Sequence, residues 1–182
     1  MTVSTRTSPP ALTTRASVAV GALTLSNWLS RTLGRGSGTV AGGRVGLALD
    51  PSLLTALAHD RRIALVTGTN GKTTTTRLLA AALSVTDGPV VASNETGANM
   101  PAGHVAALVG SSPSAPAVLE VDEGYLGRLV EETTPRVVVL LNLSRDQLDR
   151  ISEVRMMVDR WRTALGGLTA GSSGSPGTRV VA

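Results

Sequence analysis

The chain has 182 residues, enough for one domain, and a formal net charge of +4. Its composition is 42% hydrophobic but only 2% aromatic, so a core must be built from small aliphatic side chains, which suit a parallel sheet covered by helices. The absence of Cys excludes disulfides, thiol catalysis and a Cys-based zinc site within these residues, and fits a reducing cytoplasm. No apolar run reaches the roughly 18 residues that a transmembrane helix needs.

The N-terminal quarter of the chain is basic. No acidic residue precedes Asp50, whereas five arginines do: Arg6, Arg15, Arg31, Arg35 and Arg44. This charge is compatible with contact to an anionic membrane or nucleic acid, but a solvated arm is the favoured interpretation. Two Trp and one Tyr are too few for a base-stacking platform, so we expect no nucleic-acid partner.

The first 60 residues divide into two predicted segments. Residues 1–15 are rich in Thr, Ser and Pro and are predicted to be a disordered arm. Residues 16–60 are predicted to form a helix over 16–33, a strand over 44–49 and a helix over 51–58. The apolar positions of the first helix are Val18, Leu23, Leu25, Trp28, Leu29 and Leu33.

Residues 61–182 alternate between strand-like and helix-like patterns. This alternation predicts an α/β domain with a mostly parallel sheet and crossover helices. The predicted strands are 63–66, 89–92, 117–121, 137–141 and 179–182, and the predicted helices are 72–83, 101–109, 123–132 and 153–165. Because the chain stops in a strand, we expect this domain to be incomplete at its C-terminus.

Residues 67–74, Thr-Gly-Thr-Asn-Gly-Lys-Thr-Thr, join the first of these strands to a helix. Glycines let the backbone approach a phosphate, and successive N–H groups at a helix start bind the anion. Lys72, the only lysine, would reach the β- and γ-phosphates, and the Thr73 hydroxyl would bind Mg²⁺. The general pattern has Gly where Val66 stands, so a chance Gly-Lys-Thr is the alternative. We predict ATP and Mg²⁺ binding by Gly68, Thr69, Asn70, Gly71, Lys72, Thr73 and Thr74.

Carboxylates follow the strand predicted over 117–121. Ligands of open α/β sheets bind at the carboxyl ends of strands, where Glu120 would hold Mg²⁺ directly or through water. The alternative is an ordinary helix start, at which Asp122 and Glu123 are favourable. A second polar segment follows the strand over 137–141, where Asp146 and Asp149 belong equally to a salt-bridged turn or a functional site.

Four segments together resemble one protein family. Thr67–Thr75 is similar to the phosphate loop of the Mur ligases. The other three resemble the MurT-type branch, the ligase-like subunit of lipid II isoglutaminyl synthase: Asn94–Met100, Leu119–Glu123 and Asn142–Arg150. Gln147 is specific, because many other Mur ligases carry His there. The resemblance covers residues 16–165 and implies a P-loop Mur-ligase-like central domain.

The resemblance also implies an activity. Such subunits use ATP to activate the D-glutamate carboxyl of the lipid II stem peptide as an acyl phosphate, and a GatD-like glutamine amidotransferase supplies the ammonia that gives D-isoglutamine. Lys72 and Glu120 would be catalytic, with Thr73 and Glu120 as the Mg²⁺ ligands. Asn94 would bind the cofactor. The resemblance implies a cytoplasmic protein whose substrate lies at the membrane surface, with peripheral association at the inner face as one option.

The sequence departs from the branch in several places. Ser144, Ile151 and Ser152 stand where Phe, Tyr and Gly are usual, and no lysine is present for the carbamylated lysine of many Mur ligases. MurT-type subunits are considerably longer, so the zinc ribbon, the docking region for the amidotransferase and the C-terminal domain are expected beyond Ala182. We therefore expect weak ATP binding and no amidation from this chain alone.

Two alternatives remain open at the level of sequence. One is a truncated, inactive product with residual nucleotide binding. The other is a different Mur-like ligase, related to the folylpolyglutamate or cyanophycin synthetases, against which Gln147 and the segment 120–123 argue.

Overall fold

A computed structural model describes residues 12–32, 39–88, 90–94, 98–144, 151–166 and 177–182. Within these ranges the helices are α1 (Thr14–Thr32), α2 (Thr39–Leu49), α3 (Leu53–Ala58), α4 (Lys72–Asp87), α5 (Pro101–Val109), α6 (Leu126–Thr133) and α7 (Ile151–Gly166). The strands are β1 (Ile63–Thr67), β2 (Ala92–Ser93), β3 (Ala117–Glu120), β4 (Val137–Leu140) and β5 (Arg179–Val181). A 3₁₀ turn, Glu123–Tyr125, precedes α6.

The strands form one sheet in the order β2-β3-β1-β4-β5, and every neighbouring pair is parallel. This confirms the predicted α/β class. All residues of β1 and β3 are buried, as expected for central strands covered on both faces. The strand predicted over 89–92 is shorter and later, at Ala92–Ser93, and the predicted terminal strand is confirmed as β5.

Helices cover the two faces of the sheet unequally. Alternate residues of a strand face opposite sides. On one side Ala64 and Val66 pack with Ala80 of α4. On the other side Ile63 and Leu65 share a core with buried residues of the remaining helices, namely Leu23, Leu53, Leu54, Val105, Leu108, Leu126, Leu129 and Trp161. Alternate side chains of β1 therefore pack against α4 on one face of the sheet and against the other helices on the opposite face.

The N-terminal segment is helical wherever it is described. The prediction of a strand over 44–49 is wrong, because these residues form the C-terminal part of α2. A Cβ at Gly42 would collide with Asn27 of α1, and one at Gly43 would collide with the backbone carbonyl of Ala102 in α5. Glycines thus let α2 approach both neighbouring helices closely, and this tertiary packing overrides the strand-like pattern of the sequence.

The prediction of which face of α1 is buried is also wrong. Of the predicted apolar positions, Leu23 is buried, whereas Val18, Leu25, Trp28 and Leu29 are 43–60% exposed. Leu33 lies outside the described residues. The buried positions of α1 are Ala16, Ala19, Leu23 and Asn27. Asn27 and Leu23 lie against Gly42 and Gly46 of α2, so close approach of the two helices determines which side is buried.

Two further expectations concern the N-terminal arm and the membrane. Residues 1–11 of the predicted disordered arm lie outside the described ranges. Thr14 and Arg15 begin α1 instead of ending the arm, and the Thr13 hydroxyl accepts a hydrogen bond from the N–H of Ala16. In the described part of the chain, no helix has both the length and the apolar character needed to span a membrane.

Candidate functional site

The candidate site lies at the carboxyl ends of the neighbouring strands β1 and β3. β1 continues into α4 on one face of the sheet, and β3 leads through the 3₁₀ turn to α6 on the other. Connections that diverge in this way leave a crevice at the strand ends, where α/β proteins bind ligands. The predicted phosphate loop and the predicted carboxylates border this crevice from its two sides.

The loop after β1 requires glycine at two positions. Gly68 has a φ of +140° and Gly71 a φ of +87°, values that other residues adopt only with strain. A Cβ at Gly68 would also lie 2.6 Å from the Cβ of Leu141. The loop therefore combines an unusual backbone conformation with close contact to the segment that follows β4.

That following segment, residues 141–144, supports the loop from outside. The N–H of Thr69 donates to the carbonyl of Asn142 at 2.7 Å, and the N–H of Asn70 donates to the Asn142 Oδ1 at 3.1 Å. Ser144 accepts from the Asn70 side chain at 3.2 Å and donates its N–H to the Thr69 hydroxyl at 3.0 Å. Ser144 is one of the three residues that depart from the pattern of the branch named above, and here it is part of the loop support.

Helix α4 begins directly after the loop without a side-chain cap. Gly71 occupies the cap position, and the first intrahelical bond runs from the N–H of Thr75 to the Gly71 carbonyl. The N–H groups of Lys72, Thr73 and Thr74 precede that bond, so helix geometry gives them no intrahelical acceptor. Such N–H groups, at the positive end of the helix dipole, suit an anionic ligand.

Thr73 and Glu120, the two predicted metal ligands, are in contact. The Thr73 hydroxyl donates to Glu120 Oε2 at 2.8 Å, across 47 residues of sequence. Glu120 is 4% exposed and ends β3 on the side of the sheet that α4 covers. Hydroxyl and carboxylate oxygens are the ligands that Mg²⁺ prefers. The two residues therefore supply two oxygen atoms of the kind that a Mg²⁺ site uses.

Other carboxylates contribute differently. Asp122 Oδ1 accepts from the N–H of Gly124 at 3.0 Å, which is the helix-start role considered as its alternative. Asp146 and Asp149 lie outside the described residues. In the described ranges, no three His, Asp or Glu side chains form a metal-binding group.

Lys72 folds back over its own loop and reaches a carboxylate that the sequence did not single out as a ligand-binding residue. Its Nζ lies 2.5 Å from the Gly68 carbonyl, 3.3 Å from the Thr69 carbonyl and 3.1 Å from Glu123 Oε1. The indole N–H of Trp161 in α7 donates to the Glu123 carbonyl at 3.1 Å. The contact of Glu123 with Lys72 follows from the register of β1 with β3. Val66 pairs with Glu120, so the residues just beyond these two positions lie opposite each other.

Asn94 and His104 both bind the backbone of Glu120. The Asn94 side chain accepts from the Glu120 N–H at 2.8 Å and donates to the Glu120 carbonyl at 2.8 Å and the Ala98 carbonyl at 3.0 Å. The buried His104 Nε2 lies 2.8 Å from the same Glu120 carbonyl. Burial lowers the pKa of the His104 imidazole to about 4, although the hydrogen bond to Glu120 opposes this shift. Sequence reasoning missed His104, because a single His in an apolar helix carries no motif.

Comparison with known proteins agrees with this geometry. Residues 66–159, more than half of the chain, match the Mur ligase middle domain. The chain is 38% identical over 138 residues to the lipid II isoglutaminyl synthase (glutamine-hydrolyzing) subunit MurT of Staphylococcus aureus (strain COL), an alignment that covers 74% of this chain and 31% of the relative. It is 39% identical over 133 residues to the subunit of the same name from Streptococcus pneumoniae (strain ATCC BAA-255 / R6), which covers 71% of this chain and 29% of the relative.

These alignments span about a third of the length of the relatives. The match to the Mur ligase middle domain, residues 66–159, includes the phosphate loop, β3 and the segment after β4, which are the parts that build the candidate site. By sequence and by its parallel sheet, the chain belongs to the Mur ligase family.

Proposed function

We propose that this chain is the ATP- and Mg²⁺-binding part of an amide ligase subunit that acts in peptidoglycan synthesis. The reaction proposed is activation of the D-glutamate carboxyl of the lipid II stem peptide, followed by amidation to D-isoglutamine. Similarity to two MurT subunits supports this branch over the folylpolyglutamate or cyanophycin alternatives. A GatD-like amidotransferase as partner and a cytoplasmic location at the membrane surface belong to the same proposal.

One observation carries the proposal: the contact between the Thr73 hydroxyl and the Glu120 carboxylate, beside the phosphate loop. Mg²⁺ in nucleotide sites is usually held by one or two protein oxygens together with phosphates and water. Thr73 and Glu120 supply two such oxygens. The bound ion would neutralise charge on the β- and γ-phosphates.

The protein's own groups act by position and charge. Gly68, Thr69, Asn70, Gly71 and Thr74 shape the loop and the helix start that bind the phosphates through backbone N–H groups. Lys72 stabilises negative charge on the transferring phosphoryl group once its ammonium turns from Glu123 to the nucleotide. Asn94 stays a predicted cofactor-binding residue, and its bonds to Glu120 give it a positioning role as well.

Titration of the purified chain with ATP in the presence of Mg²⁺, followed by calorimetry, tests this proposal. We expect binding by the wild type and its loss in Lys72→Ala, since the loop then lacks its only ammonium. Arg77→Ala is the matched control. Arg77 is exposed on α4, so its substitution removes the same charge outside the loop. Unchanged affinity in Lys72→Ala would show that the loop does not bind the phosphates.

A further inference from the structure

The backbone of Glu120 needs partners that the sheet does not provide. Ala117 donates its N–H to the carbonyl of Arg62, just before β1, and Val121 donates to Val66 in β1, so the N–H and carbonyl of Glu120 face the other way, toward β2. β2 ends at Ser93, which pairs two residues before Glu120. The metal-facing end of β3 therefore extends beyond its neighbouring strand.

Two side chains replace the missing strand. The Asn94 amide resembles a peptide group, since it offers one acceptor and a donor, and it bonds both the N–H and the carbonyl of Glu120 at 2.8 Å. His104 adds a second donor to the same carbonyl from α5. With Thr73 on its carboxylate, Glu120 is held at its N–H, its carbonyl and its side chain.

His104 has an unfavourable feature that calls for an explanation. A carbonyl can only accept, so Nε2 carries the proton and Nδ1 is an acceptor. His104 is 0% exposed, and in the described residues its Nδ1 has no hydrogen-bond partner. A buried acceptor without a partner is destabilising, and an apolar side chain at this position of α5 would avoid that cost. What the imidazole adds is its bond to Glu120.

We propose that His104 is a positioning residue, which together with Asn94 holds the Glu120 backbone so that its carboxylate meets Thr73 and the metal. This inference rests on the proposed function, since it assigns His104 to the same Mg²⁺ site. Partners of this kind orient metal-binding carboxylates, and their loss weakens metal binding.

The test measures the affinity of the purified chain for ATP with Mg²⁺ and, separately, with EDTA. His104→Phe keeps a planar ring but removes the donor, and we expect about a tenfold loss of affinity for ATP with Mg²⁺. Affinity for metal-free ATP should change little, because the phosphate loop is untouched. His104→Gln retains a side-chain N–H and should restore part of the loss. His104→Leu carries the same expectation as His104→Phe and replaces it if the ring prevents folding.

Val105→Ala is the matched control, since Val105 is fully buried in the core on α5. It should lower the melting temperature without changing the difference between the two affinities. Equal affinities for ATP with and without Mg²⁺ in the wild type would contradict both the proposed function and this inference. A wild type that prefers ATP with Mg²⁺, and a folded His104→Phe with the same preference, would overturn the role of His104 alone. A parallel fall of both affinities in His104→Phe would do so too, as it would show a general structural effect.

Discussion

The ammonium of Lys72 lies 3.1 Å from the carboxylate of Glu123, and both side chains are largely buried, with exposures of 11% and 14%. Lys72 begins α4, directly after the loop that follows β1, and Glu123 lies in the turn after β3, so the pair links the two strand ends. Trp161 fixes the Glu123 backbone from α7. In the proposed function the phosphates of ATP would compete with Glu123 for the same ammonium.

Glu123→Gln is expected to tighten the binding of metal-free ATP. The substitution removes the competing carboxylate and its repulsion of the phosphates, which should be worth about 1 kcal/mol, or roughly fivefold in affinity. The chain without nucleotide should lose a similar amount of stability, because Lys72 loses its charged partner. Calorimetry in EDTA and urea unfolding measure the two effects.

Glu131→Gln is the control for Glu123→Gln, because Glu131 is exposed on α6 and the change in charge is the same. It should alter neither the affinity nor the stability. Weaker binding of metal-free ATP in Glu123→Gln would contradict competition and show that Glu123 assists nucleotide binding.

Gly68→Ala is expected to weaken both folding and nucleotide binding. A φ of +140° strains any residue with a Cβ, and the added carbon would lie 2.6 Å from Leu141. The strain alone should lower the free energy of unfolding by about 1–3 kcal/mol. Urea unfolding gives the stability, and an ATP titration gives the binding.

Gly88→Ala separates these two effects. Gly88 also has a positive φ, +108°, but it lies after the far end of α4 and a Cβ there would meet nothing within 4 Å. This variant should lose stability and keep its affinity for ATP. If Gly68→Ala kept its affinity as well, the loop conformation would not matter for binding.

The parts of the site that the sequence predicted are those whose chemistry is local or follows from strand ends. Residues 67–74 carry the loop, its glycines and its lysine in one contiguous run, so composition and context identify them. The contact of Thr73 with Glu120 follows because parallel strands place their carboxyl ends together. The sequence places both residues at such ends.

The missed parts depend on contacts between distant elements. The role of His104 is visible only in the structure, where α5 places its imidazole beside the carbonyl of Glu120 in β3. Glu123 was read as part of a helix start, and only the register of β1 with β3 sets it opposite Lys72. Apolar patterning also failed for α1 and α2, because packing through Gly and Ala buries little hydrophobic surface and leaves larger side chains outside.

Gly43→Ala tests that close packing directly. Its Cβ would collide with the backbone carbonyl of Ala102, which cannot rotate away as a flexible side chain can, so α2 must shift from α5. Overpacking of this kind should cost about 1–3 kcal/mol of stability. Gly21→Ala is the control: Gly21 is exposed within α1 and has open space around it, so higher helix propensity should stabilise the chain by about 1 kcal/mol. Urea unfolding should show a lower free energy of unfolding for Gly43→Ala and a higher one for Gly21→Ala. A stabilised Gly43→Ala would contradict the contact between α2 and α5.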